Sequence, residues 1–179
     1  MLDEGVRKAL EKFSSEVTKN AKSILRKKKK DSSLEASISA QVVAQNDKFE
    51  LQFFMNDYWE YVDAGVKGAG GMRKYKNGEK LDDPKPWKLK KVTNNKFKYT
   101  KNAPPIDAFG NWIKKKGLQP RDAKGKFIST KDFKFALSKV VFHTGIETTN
   151  FFEDSFYNEL DRMVDIIEEE VYNAIIIEI

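Results

Sequence analysis

Residues 34–55 read LEASISAQVVAQNDKFELQFFM, and this stretch decides the fold class. Leu34, Ala36, Ile38, Ala40 and Val42 alternate with Glu35, Ser37, Ser39 and Gln41. Successive strand side chains point to opposite faces, so a period of two builds one apolar and one polar face. Phe49, Leu51, Phe53 and Met55 resume that period after Asn46-Asp47, a pair with turn chemistry. Strands over 34–44 and 48–55, joined as an antiparallel hairpin, are expected.

Outward from the hairpin the period changes to that of helices. Upstream, Val6, Leu10, Phe13, Val17, Ala21 and Ile24 recur at steps of three and four, which predicts one helix over 3–29. Asp3 and Glu4 at its start and Arg26 to Lys30 at its end complement the helix dipole. Downstream, Asn56 or Asp57 can cap a short helix from Tyr58 to Ala64 that Gly65 ends. A last helix begins near Asn150, with Phe152, Phe156, Leu160, Met163, Ile167, Val171 and Ile175 on one face. Asp161, Asp165, Glu168 and Glu169 lie on the other. The expected architecture is a single α+β domain over 1–179, its antiparallel sheet packed against the N-terminal and C-terminal helices.

Residues 67–129 have a different texture and read as a lysine-rich insertion or arm. Gly68, Gly70 and Gly71 suggest a hinge at its start. Trp87, Leu89, Val92, Phe97 and Tyr99 suggest a second hairpin about Asn94-Asn95. Pro104-Pro105 opens a short helix through Ile106, Phe109, Trp112 and Ile113, which Gly117 ends. A further helix over Lys131 to Phe142 places Phe133, Leu137, Val140 and Val141 on its apolar side.

Charge is segregated along the chain. The whole carries +6, yet Gly65 to Ser129 holds 18 Lys and Arg against five Asp and Glu. From Phe151 to Ile179 there are nine acidic residues and one Arg. Such a split favours an oriented contact with a charged partner or with another copy of the chain.

Catalytic chemistry finds little material. With no cysteine, disulfides, thiolate metal sites and a cysteine nucleophile are excluded. His143, the single histidine, has no serine or carboxylate at a motif spacing and reads as a helix-end residue bonding backbone carbonyls. Gly68-Ala69-Gly70-Gly71 lacks the Gly-Lys-Ser/Thr ending of a phosphate loop. The acidic face of the last helix has no calcium-loop pattern. No enzyme activity, cofactor or metal is expected. Met1-Leu2-Asp3-Glu4 does not open like a signal peptide, and the longest apolar run, Ala174 to Ile177, is far below a membrane span. A soluble, cytoplasmic protein with no membrane partner is the expectation. The basic middle, with Tyr75, Trp87, Phe97, Tyr99 and Trp112 among its lysines, also supports a second reading as a non-specific nucleic-acid-binding protein. Its charge is nearly all Lys, which disfavours bidentate base readout.

The order of elements resembles a known family. A long helix leads into Leu34-Glu35-Ala36-Ser37-Ile38 and a paired strand, then Tyr58-Trp59-Glu60-Tyr61-Val62-Asp63-Ala64-Gly65. Asn150-Phe151-Phe152-Glu153-Asp154-Ser155-Phe156 opens the closing helix. This pattern, over residues 3–66 and 147–175, resembles the tail-completion or minor tail proteins of tailed bacteriophages. The resemblance implies a structural virion protein, a head–tail connector of the neck that assembles as a ring oligomer. Its partners would be other copies of itself and adjacent neck, portal or tail proteins, with packaged DNA possible in the channel. The insertion at 67–129 is longer than the family pattern requires. Candidate assembly residues are Tyr58, Trp59 and Tyr61, the lysines Lys74, Lys88, Lys90 and Lys91, and the acids Asp161, Asp165, Glu168 and Glu169.

Overall fold

The computed structural model describes residues 2–28, 33–45, 48–76, 79–93, 96–122 and 124–177. The chain is α+β. In order it runs α1 (Leu2–Lys28), α2 (Ser33–Ser37), β1 (Ser39–Gln45), β2 (Lys48–Phe54), α3 (Trp59–Asp63), β3 (Val66–Lys67), β4 (Met72–Lys76) and β5 (Glu79–Pro86). A 3-10 turn at Ile106–Phe109, α4 (Gly110–Lys115), α5 (Thr130–Thr144), β6 (Gly145–Ile146) and α6 (Glu153–Ile177) follow. The strands form three separate antiparallel pairs, β1 with β2, β3 with β6 and β4 with β5. Two compact units result: Met1–Asp63 with Thr149–Ile179, and Ala64–Thr148.

The first unit is built on α1. Ala9, Phe13, Val17, Ala21 and Leu25, each four residues from the last, are all buried. A row at steps of four drifts round the helix by about 40° per step, so its two halves meet different partners. Phe13 meets Phe156 of α6 edge to face at 5.4 Å. Ala21 and Leu25 join Leu34, Ile38 and Phe151 in the central cluster, with Met55, Trp59, Val62 and Phe152 against it. Lys28 Nζ donates to the Thr149 carbonyl at 2.8 Å and Asn20 Nδ2 to Glu159 Oε1 at 2.9 Å, so α1 and α6 run antiparallel.

The β1–β2 hairpin pairs Ala40 with Phe53, Val42 with Leu51 and Ala44 with Phe49. Residues directly opposite share a face, so within the strands Ala40 and Val42 face the same way as Phe49, Leu51 and Phe53, as expected. Its expected turn, Asn46-Asp47, lies outside the described residues.

The strand expected from residue 34 begins only at Ser39, because Ser33–Ser37 is helical. Leu34 and Ile38 satisfy a helix spacing as well as an alternating one, and both reach the core with 0% and 2% exposure. The Ser37 hydroxyl donates to the Leu34 carbonyl at 2.8 Å and fixes the turn.

The second unit contains the segment read as an insertion or arm at 67–129 and extends beyond it at both ends. Its hairpin is β4–β5, whose register shifts between Arg73 and Tyr75. The hairpin expected about Asn94-Asn95 is not formed by its flanks, and those two residues lie outside the described ones. Instead Lys67 N–H donates to the Phe97 carbonyl and Tyr99 N–H to the Lys67 carbonyl, both at 3.0 Å. Phe97 and Tyr99 thus pair with the chain near β3. The helices after Pro105 and over 130–144 stand where helical spacing placed them. Ser138 of α5 is buried and donates to the Pro104 carbonyl at 2.5 Å.

Candidate assembly surfaces

In the first unit, the two segments that carry the family resemblance meet in one hydrogen-bonded node. The Asp63 carbonyl accepts from the N–H groups of Thr149 and Asn150, both at 3.0 Å. Its carboxylate accepts from Phe152 N–H at 2.9 Å, and Thr149 Oγ1 donates to the Val62 carbonyl at 2.6 Å. Asn150 takes φ 48°, a left-handed conformation that Asn tolerates. Asp63 therefore accepts from backbone groups that α6 leaves without intrahelical partners at its N-terminus. Burial pushes its carboxyl above the usual carboxylate range, against the pull of backbone N–H bonds from Phe152 and Glu153.

Around the node the expected residues separate. Trp59 packs inward on Phe152, edge to face at 5.3 Å. Tyr58 and Tyr61 are exposed, and the Tyr58 hydroxyl shares a 2.7 Å hydrogen bond with Ser33 Oγ. Asp161, Asp165, Glu168 and Glu169 are all exposed on α6. A groove of about 470 Å³ runs along α1 in the same unit, lined by Ser14, Ser15, Thr18, Lys19, Lys22, Arg26 and Ala40. Two of its three cations are matched by carboxylates, Lys19 by Glu16 at 3.1 Å and Arg26 by Glu35 at 2.5 Å.

In the second unit, the glycine run does a different job from a hinge or a phosphate loop. Ala69 N–H donates to the Phe142 carbonyl at 2.8 Å and Gly70 N–H to the His143 carbonyl at 3.0 Å. Lys90 N–H takes the Thr144 carbonyl at 2.8 Å. These are the carbonyls that a helix leaves unpaired at its C-terminus, the negative end of its dipole and no place for an anion. The approach is close: a Cβ on Gly68 would lie 2.3 Å from the His143 carbonyl oxygen. Gly145, at φ 86°, is as tight, its Cβ position lying 2.4 Å from the Val66 oxygen. His143 Nδ1 is 2.7 Å from the Gly70 carbonyl oxygen, the backbone-bonding role expected of a helix-end histidine. Trp87 stacks on its ring at 5.1 Å and 1°.

This capping also positions the lysines. Trp87 N–H bonds the Gly71 carbonyl at 3.0 Å, Lys90 N–H bonds Thr144, and the Lys91 carbonyl accepts from Thr148 N–H at 3.2 Å. The backbone of 87–91 is held while Lys88, Lys90 and Lys91 remain exposed, as does Lys74 on β4. None of these four makes an ion pair among the described residues. The structure places the tyrosines and acids in one unit and the lysines in the other.

Sequence reasoning missed the exposed apolar residues of two helices: Phe135 and Val140 on α5, Tyr157 and Val164 on α6. The available signal was that Phe135, Tyr157 and Val164 fall off the apolar stripe of their own helix. Among the described residues no group of three or more His, Asp and Glu could hold a metal, and no helix is long and apolar enough to cross a membrane. Comparison with protein-family models, curated proteins and solved structures finds no match.

Proposed function

We propose that the chain is a non-catalytic structural protein of a tailed-phage virion, a tail-completion or connector subunit that joins head and tail as a ring in the neck. The observation that carries this reading is the pair of exposed, oppositely charged surfaces without ion pairs among the described residues: Asp161, Asp165, Glu168 and Glu169 in one unit, Lys74, Lys88, Lys90 and Lys91 in the other. A ring of identical subunits needs two different faces that complement each other. Charge pairing supplies register and steering for such a contact. The resemblance in residues 58–65 and 150–156 adds support, because those segments form the node that seats α6 and its acidic face.

Mass spectrometry of purified particles tests the proposal. The protein is expected in a fixed, small ratio to the major capsid protein. Its absence from intact particles, together with salt-sensitive binding of the purified protein to duplex DNA, would replace this reading with the nucleic-acid one.

A further inference from the structure

Two helices, one in each unit, leave complementary stripes uncovered. On α5, Lys131, Phe135 and Lys139 follow at steps of four and are exposed, Phe135 at 62%. Ala136 and Val140 are exposed too, about 100° and 140° round the helix from Phe135. On α6, Tyr157, Asp161, Val164 and Glu168 follow at steps of four, three and four, with Tyr157 61% and Val164 52% exposed. Such steps keep each set on one side of its helix. Lys131, Lys139, Asp161, Asp165 and Glu168 form no ion pair among the described residues.

Three features of the stripes match. Each has large apolar surface outside the face that packs on its own core, Phe135 on α5 and Tyr157 with Val164 on α6, which is the mark of a contact surface. Each flanks that apolar material with a single sign of free charge, basic on α5 and acidic on α6. The groups of opposite sign are held aside: Asp132 accepts from the Ser129 hydroxyl at 2.6 Å, and Arg162 sits 3.2 Å from Glu159. The spacing agrees too. Lys131 and Lys139 are about 12 Å apart along a helix and Asp161 and Glu168 about 10.5 Å, at roughly 1.5 Å per residue.

The geometry points to a heterologous helix–helix contact between copies, in which the α5 stripe of one molecule packs on the α6 stripe of the next. Phe135 seats on Val164 while Lys131 and Lys139 stand opposite Asp161 and Glu168, with Tyr157 one turn beyond Asp161. The inference rests on the ring reading for its biological setting, while the contact itself needs only two copies of the chain. It assigns a role to α5, which lies outside the lysine-rich segment.

The chain has no cysteine, so introduced ones report cleanly. Copies carrying Phe135→Cys are mixed at high concentration with copies carrying Val164→Cys and oxidised. The mixed disulfide dimer is expected in at least about tenfold excess over either homodimer. Lys131→Glu with Lys139→Glu on the first copy should cut its yield about tenfold, and Asp161→Lys with Glu168→Lys on the second should restore it. All six positions are exposed, so unchanged circular dichroism is expected for every variant. No cross-link, homodimers in equal amount, or a yield indifferent to charge reversal overturns the contact. A charge-dependent mixed dimer from a protein absent from purified particles would uphold the contact and sink the neck reading. Particles containing the protein but never the cross-link would do the reverse.

Discussion

Asp63 joins two stretches of chain that lie far apart in sequence, and its carboxylate is both buried and bonded to the start of α6. Replacing it with Ala leaves the part-buried Phe152 N–H without its acceptor, and a loss of about 1–3 kcal/mol is expected. Asp63→Asn keeps an oxygen for Phe152 N–H and removes the charge. Because burial raises the folded pKa of this carboxyl, the native state holds its proton at pH values where the unfolded chain has released it. Stability of the wild type therefore falls as pH rises from the ordinary carboxylate range through the raised value. Urea unfolding at a series of pH values should show Asp63→Asn gaining on the wild type through that window; a flat difference would contradict the assignment. Gly68→Ala is expected to be costlier, about 3 kcal/mol or more, because its Cβ would meet backbone atoms of His143 to Gly145 that cannot swing aside. A melting temperature within a degree or so of wild type would show that the close approach is not real.

At the scale of elements, local pattern carried most of the first unit. The apolar rows of α1 and α6 and the paired faces of β1 and β2 were readable because each repeats its period over several turns or pairs. Leu34 to Ile38 was misread because five residues fit an alternating and a four-step template equally well, and the core decided for the helix. The second unit was harder to read for a different reason. Its order comes from backbone hydrogen bonds between residues about 50 to 75 positions apart, such as Ala69 with Phe142 and Lys90 with Thr144, which no periodicity encodes. Those bonds have a measurable consequence. In native-state hydrogen exchange the amides of Ala69, Gly70, Trp87 and Lys90 should be protected well above those of Lys88 and Leu89. Uniformly fast exchange over 69–91 would return the segment to the status of a loose arm. Of the candidate residues, the exposure of Tyr58, Tyr61, the lysines and the acids was legible from polarity alone. Phe135, Tyr157 and Val164 were legible only by exclusion, as apolar residues off the stripe of their own helix, and an apolar residue is otherwise taken for core.

For the whole molecule, charge acquires a structural meaning. The acids stand exposed on a helix anchored at the Asp63 node, and the lysines stand on a backbone tied to the end of α5. Two surfaces of opposite charge, one in each unit, are what the proposed head-to-tail assembly calls for. The most direct measurement is zero-length carbodiimide cross-linking of intact particles, which joins amines only to carboxylates in contact. Links between copies are expected from Asp161, Asp165 or Glu168 to lysines of the second unit, Lys131 and Lys139 foremost. Particles in which these carboxylates stay unlinked while the same lysines couple to other proteins or remain masked by DNA would contradict the assignment of the two surfaces to each other.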